Sequence, residues 1–161
     1  MPRIELSSLP DDAQTWIFGV SPALDESKSA LLLGAVDAFL ADWAAHGDPI
    51  HAGRDLLEGS FLVIAVDREA ETSGCSIDRM FGTLRDLERQ LGVTILDSGR
   101  VFFRHGDGRP DALSRPQFRE KADLHTHVFD TTVSRLGAVR SGSWEKTASE
   151  SWHRDLLRQS V

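Results

Sequence analysis

The run Phe61–Val66 constrains the fold of this chain most strongly. Its six residues, Phe-Leu-Val-Ile-Ala-Val, are all apolar, whereas a strand with one face in water alternates apolar and polar side chains. A continuous run is typical of a strand that is buried on both faces. The residues Ile50–Leu57 before it alternate imperfectly, and Glu58-Gly59 supplies a turn. We therefore expect a central hairpin.

Two amphipathic segments flank this hairpin and are predicted to be helices. Between Asp25 and Ala45 the apolar residues recur at helical spacing, with Gly47 just past the end. A clearer pattern with three- and four-residue steps runs from Ile77 to Leu91 and stops at Gly92. Both helices present one apolar face to the hairpin.

Three further strands are predicted from shorter patterns. Thr15–Val20 is rich in β-branched and aromatic residues and is closed by Ser21-Pro22. Val93–Leu96 and Arg100–Arg104 flank a glycine, Gly99, that suits a three-residue hairpin loop. We expect these two segments to pair as a fourth and a fifth strand.

The C-terminal part of the chain is predicted to be helical. From Arg115 an apolar stripe that includes His125 continues to Leu136. The tail at 139–161 carries tryptophans among polar residues, which indicates one short helix docked by its indole rings.

The predicted order of elements is β-α-β-β-α-β-β followed by helices. Its first six elements match the ferredoxin-like split β-α-β arrangement. We therefore expect an α+β fold, a ferredoxin-like antiparallel sheet with an extra edge strand and C-terminal helices. A length of 161 residues suits one domain over 1–161, with a core at about 13–138 and a helical tail at 139–161.

Charge and cysteine content limit the partners and the compartment. The net charge is −7, and no cluster of Lys and Arg is longer than a pair, so neither nucleic acid nor a membrane is expected as a partner. A single cysteine allows no intrachain disulfide, no signal peptide is apparent, and the apolar runs are too short to span a bilayer. We expect a cytoplasmic protein. Four tryptophans, two of them in the tail, favour a homodimer in which the tail covers a second copy.

Cys75 is the main candidate for chemistry. It lies in Ser73-Gly74-Cys75-Ser76-Ile77-Asp78, where a loop enters the second helix and free backbone N–H groups favour a thiolate. Asp78 adds a negative charge that opposes ionisation. The alternative is a small buried hydrophobe at a helix start, and we expect Cys75 to be mostly buried.

The histidines supply candidate bases for such a thiol. His46, at the end of the first helix, is the first choice, and the alternative is a histidine that interacts with the helix dipole. His153 is the second candidate base. His125 and His127 are two residues apart, so on a helix they point in different directions and cannot share a metal ion. No metal or cofactor site is predicted.

The motifs that are missing exclude nucleotide hydrolysis. The chain contains no Walker A loop, no dinucleotide-binding glycine motif and no nucleophile elbow. A non-enzymatic binding or interaction domain is therefore the leading hypothesis, with Trp43, Asp78, Trp152 and His153 as candidate binding residues. The rival is a thiol-dependent enzyme or redox-sensitive protein that uses Cys75.

Three strings in the chain carry a resemblance to a known family. They are Ser73–Asp78 after the apolar strand that ends in Val66-Asp67, Trp43–Gly47, and Ser151-Trp152-His153. Together they resemble an uncharacterised bacterial protein family of similar length, and the likeness touches most of the chain. Some members of that family are named "ABC transporter ATPase", although this chain lacks the Walker A loop. The resemblance implies a whole-chain domain without an established activity and assigns no catalytic role.

Overall fold

The computed structural model describes residues 4–45, 47–67 and 73–157. Within these ranges there are five α-helices: α1 Glu26–Asp42, α2 Gly74–Leu91, α3 Arg115–Lys121, α4 Leu136–Arg140 and α5 Arg154–Leu157. The same ranges contain nine strands: β1 Gln14–Gly19, β2 Ala44–Ala45, β3 Asp48–Pro49, β4 Ala52–Leu57, β5 Phe61–Val66, β6 Arg100–Arg104, β7 Pro110–Ser114, β8 His127–Phe129 and β9 Glu145–Thr147. Short 3₁₀ turns lie at Leu6–Ser8 and Ala148–Glu150.

The first sheet has the strand order β1-β5-β4 and is antiparallel throughout. Ile64 of β5 pairs with Trp16 of β1 on one side and with Arg54 of β4 on the other. The strands β1 and β4 thus run in the same direction, are connected through α1 and are separated by β5. This is a split β-α-β unit, and the predicted hairpin of β4 and β5 is confirmed.

The second sheet has the order β7-β6-β8-β9 and is also antiparallel. Its longest pairing is the hairpin of β6 and β7, in which Arg104 lies opposite Pro110. The loop between these strands spans residues 105–109 and places Gly108 at φ 93°, a backbone conformation that glycine adopts without strain. The strand β8 pairs with the other edge of β6.

The apolar run of β5 is buried on both faces, as its sequence predicts. Leu62, Ile64 and Val66 pack into a cluster with the buried faces of α1 and α2. The alternate residues Phe61, Val63 and Ala65 pack toward the second sheet. Because side chains of a strand alternate between faces, one strand supplies residues to two separate cores.

The two sheets pack on each other around Phe61. Its ring centroid lies 5.4 Å from Phe102 of β6, 4.5 Å from Phe129 of β8 and 4.9 Å from Trp144. On the outer face of the second sheet, Val101 and Val128 contribute with Phe118 of α3 to a third cluster. The layers are therefore α1 and α2, first sheet, second sheet, and α3 with the C-terminal segment.

The helix α2 agrees closely with its prediction. Ser73 is its N-cap and forms a capping box with Ser76, in which each side chain bonds to the backbone N–H of the other residue. Gly92 ends the helix in the left-handed conformation, at φ 67°. Leu84 and Leu87 are buried, and Arg85 is exposed.

The α+β class is confirmed, but a complete ferredoxin-like sheet is not. The predicted strand Val93–Leu96 forms only an isolated bridge, from Thr94 to Ser21 beside β1. The Glu88 carboxylate accepts hydrogen bonds from the backbone N–H groups of Ile95 and Leu96, donors that a strand would use for pairing. The strand β6 consequently pairs with β7 instead.

The predicted third helix and helical tail are largely wrong. The helix α3 ends at Lys121, and Asp123 starts a turn by accepting from the backbone N–H of His125, a local bond that competes with helix formation. The chain then enters β8. The tail contributes the strand β9 and only one turn of helix, α5, before the described residues end at 157.

No helix among the described residues is long and apolar enough to cross a membrane. The predicted cytoplasmic location stays a prediction.

Candidate functional site

The most developed concave site is a groove on the outer face of the second sheet. Its volume is about 750 Å³, and it lies between the β6–β7 hairpin, α3 and the turn before β8. Apolar side chains of Phe103, Leu113 and Phe118 line it. Ligand pockets in proteins are roughly 300–1,000 Å³ and combine such apolar surfaces with a few polar groups. We name this site the hairpin groove.

A histidine–aspartate pair forms part of the wall of the hairpin groove. His105 Nε2 lies 2.9 Å from Asp111 Oδ2, and the His105 ring meets Phe103 edge to face at 4.7 Å between centroids. Burial alone raises the pKa of Asp111, but hydrogen bonds from His105 and from the backbone N–H of Ala112 outweigh it and hold the pKa below its ordinary value. Asp111 is therefore held in its ionised form, in which both of its oxygens accept hydrogen bonds.

Arg104 contacts the groove but is committed to other partners. Its guanidinium donates to Glu58 and Glu145, and also to the backbone carbonyl of Gly108 at 2.6 Å. It also lies 5.0 Å above the ring of Phe129. The two carboxylates raise the pKa of Arg104 further above its ordinary value. These bonds hold Arg104 in place, where it links the second sheet to Glu58 in the first.

The remaining polar side chains stand at the rim of the groove. Asp123 accepts from the backbone N–H of His125 at 2.8 Å. Within the described part of the chain, the side chains of Lys121 and His125 form no hydrogen bond or ion pair. His127 Nδ1 lies 4.0 Å from Glu145 Oε2, at the limit of an ion pair. Lys121 and His125 are thus free to contact a ligand.

Cys75 is exposed, which contradicts the expected burial. It is the second residue of α2, and the face of this first turn that meets the core is taken by Ser76 and, one turn later, Met80. The thiol lines a shallow pocket of about 670 Å³ with Gly74 and Arg79. Its predicted partner His46 lies outside the described residues.

Trp43 and Asp78, two predicted binding residues, take different positions near this pocket. Trp43 is fully buried and its Nε1 donates to the backbone carbonyl of Ser76 at 2.9 Å. This bond ties the end of α1 to the start of α2. Asp78 is exposed in the second turn of α2 and does not cap the helix, because Ser73 does.

Trp152 and His153 lie on the opposite side of the molecule. The ring of His153 stacks on Trp152 at 3.9 Å and packs near Phe118, behind the hairpin groove. His153 Nδ1 bonds to Ser151 Oγ at 2.6 Å, and Trp152 Nε1 donates to Asp130. Burial lowers the pKa of His153 to about 4. Both sheets separate His153 from Cys75, so the structure does not bring these two residues together.

The sequence patterns missed the residues of the hairpin groove. The sequence of residues 106–110 indicates only a break in the chain, and the apolar stripe from Arg115 predicts that His125 lies on a helix. A signal was present, because His105 and Asp111 flank a glycine-rich turn that can bring them face to face across a hairpin. The predicted pairing of Arg100–Arg104 with the wrong neighbour hid that signal.

Among the described residues, no group of three His, Cys, Asp or Glu side chains could hold a metal ion. Comparison of the chain with protein-family models, curated proteins and solved structures found no match.

Proposed function

We propose that this chain is a non-enzymatic binding domain whose ligand occupies the hairpin groove. The observation that carries the proposal is the composition of the groove, where the half-buried side chains of Phe103, Leu113 and Ala122 meet Lys121 and His125, whose side chains form no hydrogen bond or ion pair with any described residue. An apolar surface with a few convergent polar groups is the usual design of a small-molecule site.

The chemistry of the groove favours binding over catalysis. The pair of His105 and Asp111 resembles the oriented base of a hydrolase, but covalent catalysis would also need a side-chain nucleophile beside that base. Among the described residues that line the groove, Thr126 carries the only hydroxyl, and its Oγ1 is already bonded to the Asp123 turn. Cys75 lies beyond both sheets.

A thiol-dependent enzyme or redox-sensitive protein is the second candidate, and the exposure of Cys75 favours it. The thiol lines a pocket with Arg79, a cation one helical turn further along. Measuring the rate at which a small electrophile labels Cys75 across pH tests this candidate, since an activated thiol keeps reacting below neutrality.

The predicted homodimer, the cytoplasmic location and the resemblance to a bacterial family stay proposals. Trp144 is buried between the sheets, and Trp152 is half-buried against His153. Both tail tryptophans therefore already have partners within the chain, which removes the reason for which a dimer was expected. Light scattering at high concentration measures the oligomeric state directly.

Titration with phenylnaphthylamine, a neutral aromatic probe that fluoresces when it leaves water, tests the binding function. Ala122→Phe fills the groove at the end of α3, and Ala30→Phe adds the same ring to the exposed face of α1. We expect saturable binding to the unmodified protein and to Ala30→Phe, and at least about tenfold weaker binding to Ala122→Phe. Equal binding to both variants, with both folded by thermal melting, would reject the groove as the site.

A further inference from the structure

The acidic side chains of the hairpin groove already have hydrogen-bond partners, whereas some of its basic side chains do not. Its two carboxylates already have donors: Asp111 accepts from His105 and from the backbone of Ala112, and Asp123 accepts from the backbone of His125. Arg109 adds to this, since its Nη1 lies 3.6 Å from Asp111 Oδ2. These acids therefore offer little to an additional cationic ligand.

The cationic side of the groove is different. Arg104 is bound by Glu58 and Glu145, but Lys121 has no hydrogen bond or ion pair with any described residue. The same holds for the imidazole of His125. The uncommitted groups at the rim are thus an ammonium and an imidazole, although the chain as a whole has a net charge of −7.

From this imbalance we infer the class of ligand, an inference that rests on the proposed binding function. The hairpin groove takes a small aromatic or otherwise flat apolar molecule that carries one anionic group. The apolar body lies on Phe103, Leu113 and Ala122, and the anionic group lies at the rim, where the ammonium of Lys121 and the imidazole of His125 approach it. A charge-assisted hydrogen bond from Lys121 supplies the selectivity.

Two fluorescent probes that differ by one charge test this inference. Anilinonaphthalene sulfonate carries the ring system of phenylnaphthylamine together with a sulfonate. The structure predicts that Lys121→Met weakens binding of the sulfonate about fivefold and leaves binding of the neutral probe within about twofold. Lys121→Glu is expected to weaken binding of the sulfonate probe further, because it replaces the attraction with repulsion.

A matched control comes from the opposite outer layer. Lys28 of α1 donates to the carbonyl of Leu91 at the end of α2, so Lys28→Met changes the net charge equally without touching the groove. We expect both probes to bind Lys28→Met as they bind the unmodified protein. If Lys28→Met weakened binding of the sulfonate as much as Lys121→Met does, the change in net charge alone would explain the weaker binding. That result would overturn the inference.

The two proposals fail in distinguishable ways. If Ala122→Phe blocks both probes but Lys121→Met affects them equally or not at all, the groove binds ligands and the anionic class is wrong. If neither probe binds the unmodified protein, or Ala122→Phe blocks neither, the binding function itself fails. Selective loss of the sulfonate in Lys121→Met, with both probes blocked by Ala122→Phe, supports both.

Discussion

Arg104 and Glu58 form a two-pronged ion pair, with Arg104 Nη1 and Nη2 each 2.9 Å from one carboxylate oxygen of Glu58. Glu58 lies in the turn between β4 and β5, and Arg104 lies in β6, so the pair joins the two sheets. The hydrogen bonds from Arg104 hold the pKa of Glu58 below its ordinary value. Two parallel N–H···O bonds fix both distance and orientation.

Replacing this arginine is expected to loosen the packing of the sheets. Arg104→Met keeps an unbranched apolar side chain but leaves Glu58 and Glu145 without their donor, and we predict a loss of about 1–2 kcal/mol in the free energy of unfolding. Arg89, whose partner Asp86 is exposed on α2, is the control, and Arg89→Met should cost no more than about 0.5 kcal/mol. Urea denaturation measures both, and equal losses would contradict the assigned role.

A second prediction concerns which side chains of α2 face the first sheet. Leu84→Ala should cost about 2–5 kcal/mol because the side chain is buried against the first sheet, and Arg85→Ala should cost less than about 0.5 kcal/mol. The Glu88 carboxylate accepts hydrogen bonds from two backbone N–H groups. Glu88→Ala should therefore be costly as well, at about 1–3 kcal/mol. Equal sensitivity at positions 84 and 85 in denaturant titrations would refute this phase.

The buried histidine predicts how stability depends on pH. Burial lowers the pKa of His153 from 6.5 to about 4 in the folded chain, so between these values the unfolded chain binds the extra proton. Stability is therefore complete above about pH 6.5 and falls as the pH drops toward 4, by up to about 3 kcal/mol from this residue.

Variants of two histidines isolate that contribution. His153→Asn retains an acceptor for Ser151 without a titrating ring, and we expect a flatter curve of unfolding free energy between pH 6.5 and 4. His51 is exposed, and its side chain forms no hydrogen bond or ion pair with a described residue, so His51→Asn is the control and should leave the curve of the unmodified protein unchanged. A curve for His153→Asn as steep as that of the unmodified protein would show that His153 is not the group responsible.

The exposure of Cys75 makes a fourth prediction. A thiol-specific reagent should label it in native buffer within about twofold of its rate in denaturant, since no core residue covers it. Both Cys75→Ser and Cys75→Leu should change stability by less than about 0.5 kcal/mol. Labelling that is fast only in denaturant would restore the buried cysteine that the sequence suggested.

The elements that the sequence identified well are those with long periodic patterns. The strand β5 is predicted from a continuous apolar run, which indicates burial on both faces. The helix α2 is predicted from apolar residues at helical spacing. Between Val93 and Phe129 the strand Arg100–Arg104 is confirmed, but the strand Val93–Leu96 and the long helix from Arg115 are wrong, because short apolar groups are compatible with either state and polar groups decide between them. The Glu88 carboxylate took the donors of one expected strand, and Asp123 turned the chain out of an expected helix.

The sequence does not predict the hairpin groove, because its residues lie in that stretch. The hairpin groove exists because β6 pairs with β7, and the partner of β6 depends on what the chain around Thr94 does beside β1. The apolar spacing within β6 does not encode which of the two neighbouring segments pairs with it. Cys75, by contrast, was placed correctly at the start of α2, but its exposure depends on how the first turn is rotated.

Amide NMR spectra of isotope-labelled protein, recorded during titration with anilinonaphthalene sulfonate, test the hairpin groove most directly. We predict that the largest shift changes fall at residues 103–106 and 121–127, saturate together and vanish in Ala122→Phe. Changes that cluster at residues 73–79 around Cys75, or that spread evenly over both outer layers, would contradict it.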